Sequence, residues 1–96
     1  MLQQLAITTT NKGRLKPLVE SAIEHEKEML SLALRRSRDK LAEFERKFEM
    51  TSVEFERRLH ALELHETVEF ANWRMEIGLL RLLEEQYQAL QEAEVG

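Results

Sequence analysis

Met50-Thr51-Ser52-Val53-Glu54-Phe55 decides how this chain divides. A threonine followed three residues later by a glutamate is a helix-start signature. The Thr51 hydroxyl accepts from the Glu54 N–H, and the Glu54 carboxylate reaches back to the N–H of Thr51. Met50 and Phe55 flank this cap at the two positions where a hydrophobic staple fixes the entering chain. A helix therefore starts here, and any helix before it ends by about residue 48. The new helix carries Phe55, Leu59 and Leu62 on one face and is predicted over about 52–63.

Toward the N-terminus, Pro17 suits the first turn of a helix, where its missing N–H costs nothing, and no later proline interrupts the chain. A long helix is predicted over about 17–48, roughly 48 Å at 1.5 Å per residue. Its apolar seam is Ile23, Leu30, Leu34, Leu41, Phe44 and Phe48. From Leu30 onward, counting Ser37, the steps alternate four and three, the 3.5-residue repeat of helices that pack along their length. Such a seam needs a second helix, from this chain or from another copy. Lys27 and Ser37 fall within it and weaken packing while fixing register. Residues 1–16 have no helical period. Thr8-Thr9-Thr10, Asn11 and Gly13 favour extended or turn conformations, so this stretch is expected to be a flexible or extended arm.

Toward the C-terminus, Leu64-His65-Glu66 breaks the pattern and Thr67 caps a third helix, predicted over about 67–93. Two apolar stripes run along it. One is Val68, Ala71, Met75, Leu79, Leu82, Leu83 and Leu90; the other is Phe70, Trp73, Ile77, Leu80 and Tyr87. A surface helix needs only one apolar face. One stripe is therefore expected on the first helix, and the other on a second subunit or partner. Gly78 lies between them and costs about 1 kcal/mol against alanine, which close approach of another helix would offset.

Composition agrees with a helical reading and excludes several classes. The 96 residues include one proline, three glycines, no cysteine and 33% charged residues. One domain at most fits this length, and the absence of cysteine removes disulfide frameworks and thiol-based metal or redox sites. No stretch approaches the roughly 20 apolar residues that span a bilayer, and residues 1–7 lack the basic region and apolar core of a signal peptide. A cytoplasmic protein without membrane contact is expected. The net charge of −4 is unevenly spread. Residues 1–48 hold 10 Lys or Arg against 7 Asp or Glu, net +3, and residues 49–96 hold 4 against 11, net −7. Antiparallel packing of a basic helix on an acidic one would account for that split, and so would a functional charged patch.

Chemistry has little to stand on. His60 and His65 are five residues apart, a step that places them on different helix faces, and His65-Glu66-Thr67-Val68-Glu69 carries Glu69 where a zinc-protease motif needs histidine. There is no nucleophile elbow and no phosphate-binding glycine loop. No catalytic residue, metal or cofactor is expected, and the protein is read as a non-enzyme. Arg35, Arg36, Arg38, Lys40, Arg46 and Lys47 form the densest basic run, interrupted by Asp39, Glu43 and Glu45. Pairs at four-residue spacing, Arg35 with Asp39 and Glu43 with Lys47, would neutralise part of it. Nucleic acid is thus an unfavoured partner. Residues 41–59 also fit a helix-turn-helix, but Glu49 stands where the turn usually has glycine, Phe44 where a small residue is usual, and Glu54 and Glu56 would face phosphates.

Three stretches carry a family resemblance: Leu15-Lys16-Pro17-Leu18-Val19, the run from Phe44 to Arg58, and Glu66-Thr67-Val68-Glu69-Phe70-Ala71-Asn72-Trp73. They resemble a family of small helical proteins of cyanobacteria and archaea that is similar to the antitoxin half of two-gene toxin–antitoxin modules. The resemblance spans about residues 8–89. It implies neutralisation of a small toxin protein by binding, and it carries over no catalytic residue.

The expectation is an all-α protein in which a long first helix, a short capped second and a long third fold into a helical hairpin and coiled-coil-like bundle. The bundle is expected to be oligomeric, a homodimer first. Ile23, Leu30, Leu34, Leu41, Phe44 and Phe48 would form the oligomer seam, and Phe70, Trp73, Ile77, Leu80 and Tyr87 would anchor a toxin. A self-associating coiled-coil module and a helix-turn-helix regulator are the alternatives.

Overall fold

The computed structural model describes residues 12–93, and within them the fold is all-α. Three helices follow in order: α1 (Lys12–Phe48), α2 (Ser52–His60) and α3 (Val68–Ala93). α1 and α3 pack against one another as an antiparallel hairpin, and α2 sits over the hairpin's closed end. The molecule is a rod of 61 × 22 × 21 Å with a radius of gyration of 19.4 Å. A compact chain of this length would have about 12.5 Å.

The turn between α1 and α2 follows the cap reading in part. Thr51 has extended backbone angles, and its hydroxyl accepts from the Glu54 N–H at 3.0 Å. Met50 packs into the cluster around Phe55, as a staple should. The reciprocal half of the box is not made. Glu54 turns instead to Arg57 (2.7 Å) and Arg58 (2.7 Å), because two guanidiniums on its own helix outbid one backbone N–H. The N–H of Ser52 is taken by the Glu45 carboxylate at 2.7 Å, which ties the last turns of α1 to the start of α2. Thr67 caps α3 as predicted, accepting from the Phe70 N–H at 3.0 Å.

Two boundaries differ from the sequence reading. α1 begins at Lys12, so Pro17 lies inside the helix and residues 12–16 are not part of an arm. A proline in the second turn removes the single bond to the carbonyl of Gly13, and Arg14, Leu15 and Lys16 are good helix formers that keep the turn. The rest of the proposed arm, residues 1–11, lies outside the described residues. α2 ends at His60, short of residue 63. Leu62 adopts φ 62°, and the N–H groups of Leu62 and Glu63 donate to the carbonyls of Leu59 (3.1 Å) and Arg58 (2.8 Å). This is a Schellman end with leucine in the place that glycine usually takes.

The α1 seam is covered by the chain itself. Leu41, Phe55, Trp73 and Ile77 form one buried cluster, with Phe44, Phe48, Leu59, Phe70 and Leu80 packed against it. Leu30, Leu34 and Leu83 form a second, with Tyr87 and Leu90 beside it. Of the positions expected to meet another subunit, Leu30, Leu34, Leu41, Phe44 and Phe48 therefore face the chain's own helices. Ile23 is half-buried and belongs to neither cluster. Trp73 is the pivot. It stacks on Phe55 at 3.9 Å between ring centroids and on Phe44 at 5.5 Å, and its indole N–H donates to the Ser52 hydroxyl at 2.9 Å. One residue of α3 thereby grips both other helices, with no exposed surface of its own.

Candidate functional site

The stripe expected to anchor a partner is the core. Trp73 and Ile77 are buried and Phe70, Leu80 and Tyr87 are half-buried against α1 and α2, so none of the five is available as a free anchor. The reason is area. Aromatic side chains bury about 150–250 Å² each, and Phe44, Phe48 and Phe55 already face inward at the closed end. Turning Phe70 and Trp73 toward them gains more than turning the aliphatic stripe would.

That choice leaves part of the other stripe outside, while its Leu83 and Leu90 turn in to the second cluster. Val68, Met75, Leu79 and Leu82 are 78%, 69%, 44% and 50% exposed. They follow one another at steps of seven, four and three residues, which puts them on one face of α3. Gly78 borders this face, and a methyl group added there would meet nothing within 4 Å. The expected close approach of a helix at Gly78 is thus not made inside the chain.

Beside the stripe, an open groove of about 700 Å³ runs between α1 and α3 on the side away from α2. Phe44, Met75 and Leu79 give it an apolar floor, and Lys40, Lys47, Glu69 and Glu76 line its rim with both signs of charge. Lys47 is paired with Glu69 across the two helices. A second hollow of about 950 Å³ lies between α2 and α3, where Val53, Leu59, Leu62 and Leu64 meet Arg74 and Arg81. Both arginines are engaged there, Arg74 with Glu66 and Arg81 with Glu56 at 2.6 Å. His60 and His65 stand exposed on its rim, and among the described residues no group of His, Asp and Glu is arranged to hold a metal ion.

The basic run is spread around α1 rather than gathered on one flank. Arg36, Lys40 and Lys47 stand one above another at steps of four and seven, with Arg35 and Arg46 on the opposite flank. Arg38 and Lys47 are restrained by Glu84 and Glu69 of α3, not by neighbours four residues away. The antiparallel hairpin places the basic end of α1 beside acidic α3, which is the origin of the split in charge along the sequence.

The strongest local electrostatics is on α2. Hydrogen bonds from Arg57, and then from Arg58, hold the Glu54 carboxyl at a pKa of about 2, below its ordinary 4.5, and Glu54 raises Arg57 in turn. Both arginines of the would-be reading helix are therefore committed to Glu54. Among the described residues no helix is long and apolar enough to cross a membrane. In comparisons with known proteins, no family model, no curated protein and no solved structure matches this chain.

Proposed function

We propose that this protein is a non-enzymatic binding partner of another protein, and that it receives a partner helix along the outer face of α3 and the groove beside it. The observation that carries the reading is the exposure of Met75, Leu79 and Leu82 next to a groove floored by Phe44. A row of aliphatic side chains at helical spacing, rimmed by both signs of charge, matches the way amphipathic helices lie in apolar grooves. Met75 suits this use, since its unbranched, polarizable side chain adapts to the surface it meets.

The resemblance to antitoxins makes the partner a small toxin encoded beside this gene, held inactive by being covered. Neutralisation of this kind asks for no catalytic group, cofactor or metal on this chain. Coexpression with the product of the adjacent gene tests the reading. A stoichiometric complex that survives two purification steps is the expected result, and two proteins that separate completely contradict it.

A further inference from the structure

α3 carries a second seam on its outer face. Val68, Met75 and Leu82 follow one another at steps of seven, and Asn72, Leu79 and Gln86 do the same, offset by four. The two rows interleave as the core positions of a coiled coil, with Asn72, Leu79 and Gln86 at a and Val68, Met75 and Leu82 at d. All six residues are exposed, and no described residue covers them. The inward stripe through Trp73, Ile77 and Leu83 is separate and already packed on the rest of the chain.

In a seam of this kind the flanking e and g positions choose the partner by charge. Here e holds Glu69 and Glu76 before Leu83 turns inward, and g holds Ala71, Gly78, Glu85 and Glu92. Every charged flanking residue is a carboxylate. Lys47 of α1 takes Glu69, and Glu92 accepts from the neutral Gln88 amide. Among the described residues no cation pairs with Glu76, Glu85 or Glu92. Arg74 and Arg81, further round the helix, are drawn off to Glu66 and Glu56, and Lys40 lines the opposite wall of the groove on α1. Ala71 and Gly78 keep the first half of the g edge low, so a helix can approach closely there.

We propose that the helix received by α3 is a basic amphipathic one, with an apolar ridge, Lys or Arg on both flanks, and a polar residue opposite Asn72. This rests on the reading of the outer α3 face as the docking surface and adds the chemistry of what docks. Cationic flanks reach Glu76 on one edge and Glu85 and Glu92 on the other. The same carboxylates reject a second copy of α3, whose flanks would bring like charge against like. Asn72, once covered, needs a polar mate, which fixes register at a cost in affinity. The seam belongs to residues 49–96, with 4 Lys or Arg against 11 Asp or Glu, and this net −7 attracts a basic partner from a distance.

Two synthetic three-heptad peptides provide the test by fluorescence anisotropy on the full chain. One has leucine at a and d, asparagine at a single a position and lysine at e and g; the other differs only in having glutamate at e and g. The lysine peptide is expected to bind at least tenfold more tightly, one to one, with affinity falling as salt rises. Glu76→Lys/Glu85→Lys should reverse the preference, with helix content by circular dichroism unchanged. Met75→Glu/Leu79→Glu should abolish binding of the lysine peptide, although it adds negative charge that would strengthen a merely non-specific attraction. Equal affinities for the two peptides overturn the proposal. So does a preference that survives charge reversal, binding that survives Met75→Glu/Leu79→Glu, no binding at all, or a homodimer of the full chain that crosslinks through Met75→Cys. The docking reading fails separately. A coexpressed complex lost in Met75→Glu/Leu79→Glu but untouched by Glu76→Lys/Glu85→Lys keeps the docking face and discards the basic helix.

Discussion

Glu49 and Leu62 both hold left-handed backbone, at φ 55° and 62°, and neither is glycine. A residue with a side chain pays about 1–2 kcal/mol for that conformation. Both positions end a helix, and the chain must turn sharply at each for α2 to deliver Phe55 onto Trp73. Glu49→Gly and Leu62→Gly are each expected to raise the unfolding free energy by about 1 kcal/mol in urea titrations, since glycine removes the strain at no loss of contact. Ser37 is a cost of a second kind. Its hydroxyl is buried beneath the α1–α3 contact without a hydrogen-bond partner. Ser37→Ala should stabilise the fold by about 1 kcal/mol, read as a higher denaturation midpoint with an unchanged slope. Glu54 gives the pH signature. Its pKa is lowered by folding, so its contribution is complete above about 4.5 and is lost as pH falls through about 2. Its carboxyl resonance followed by NMR should show it titrating well below its ordinary 4.5. The caps at Thr51 and Thr67 were legible from residue type and spacing alone. The two left-handed turns were not, because no glycine or asparagine marks them and only the tertiary closure imposes them.

At the level of elements, sequence periodicity finds both stripes of α3 and leaves open which lies inside. The deciding signal is a cluster that no single helix shows: Phe44, Phe48, Phe55, Phe70 and Trp73 converge on the closed end of the hairpin. Rings at these positions stack or meet edge on, as Phe48 and Phe70 do at 5.1 Å, adding to the area they bury. The same reasoning recovers the seam of α1, whose 3.5-residue repeat is real and whose partner is this chain's own α3. Ser52 joins the cluster from its polar side. Ser52→Ala strands the buried indole N–H of Trp73 and should cost about 1–3 kcal/mol, with a shift in the emission of this sole tryptophan as the second readout. Trp73→Ala should cost about 3–5 kcal/mol and release α2 from the hairpin.

For the whole molecule, the arithmetic of length and charge acquires a shape. A 96-residue chain drawn out to 61 Å cannot surround its own helices. It closes one seam and leaves an outer α3 face open. Gly78 separates the needs of the isolated chain from those of a complex. Gly78→Ala should stabilise the free protein by about 1 kcal/mol, as no atom opposes the added methyl, and should weaken a partner helix that approaches closely there. The groove is tested most directly by titrating the adjacent gene's product into the protein and into its Met75→Glu/Leu79→Glu variant, with melting curves for both. Exposed positions of this kind tolerate substitution within about 0.5 kcal/mol. The account predicts unchanged melting and a loss of affinity of at least tenfold in the variant. Equal affinities for the two proteins, with folding intact, would contradict it.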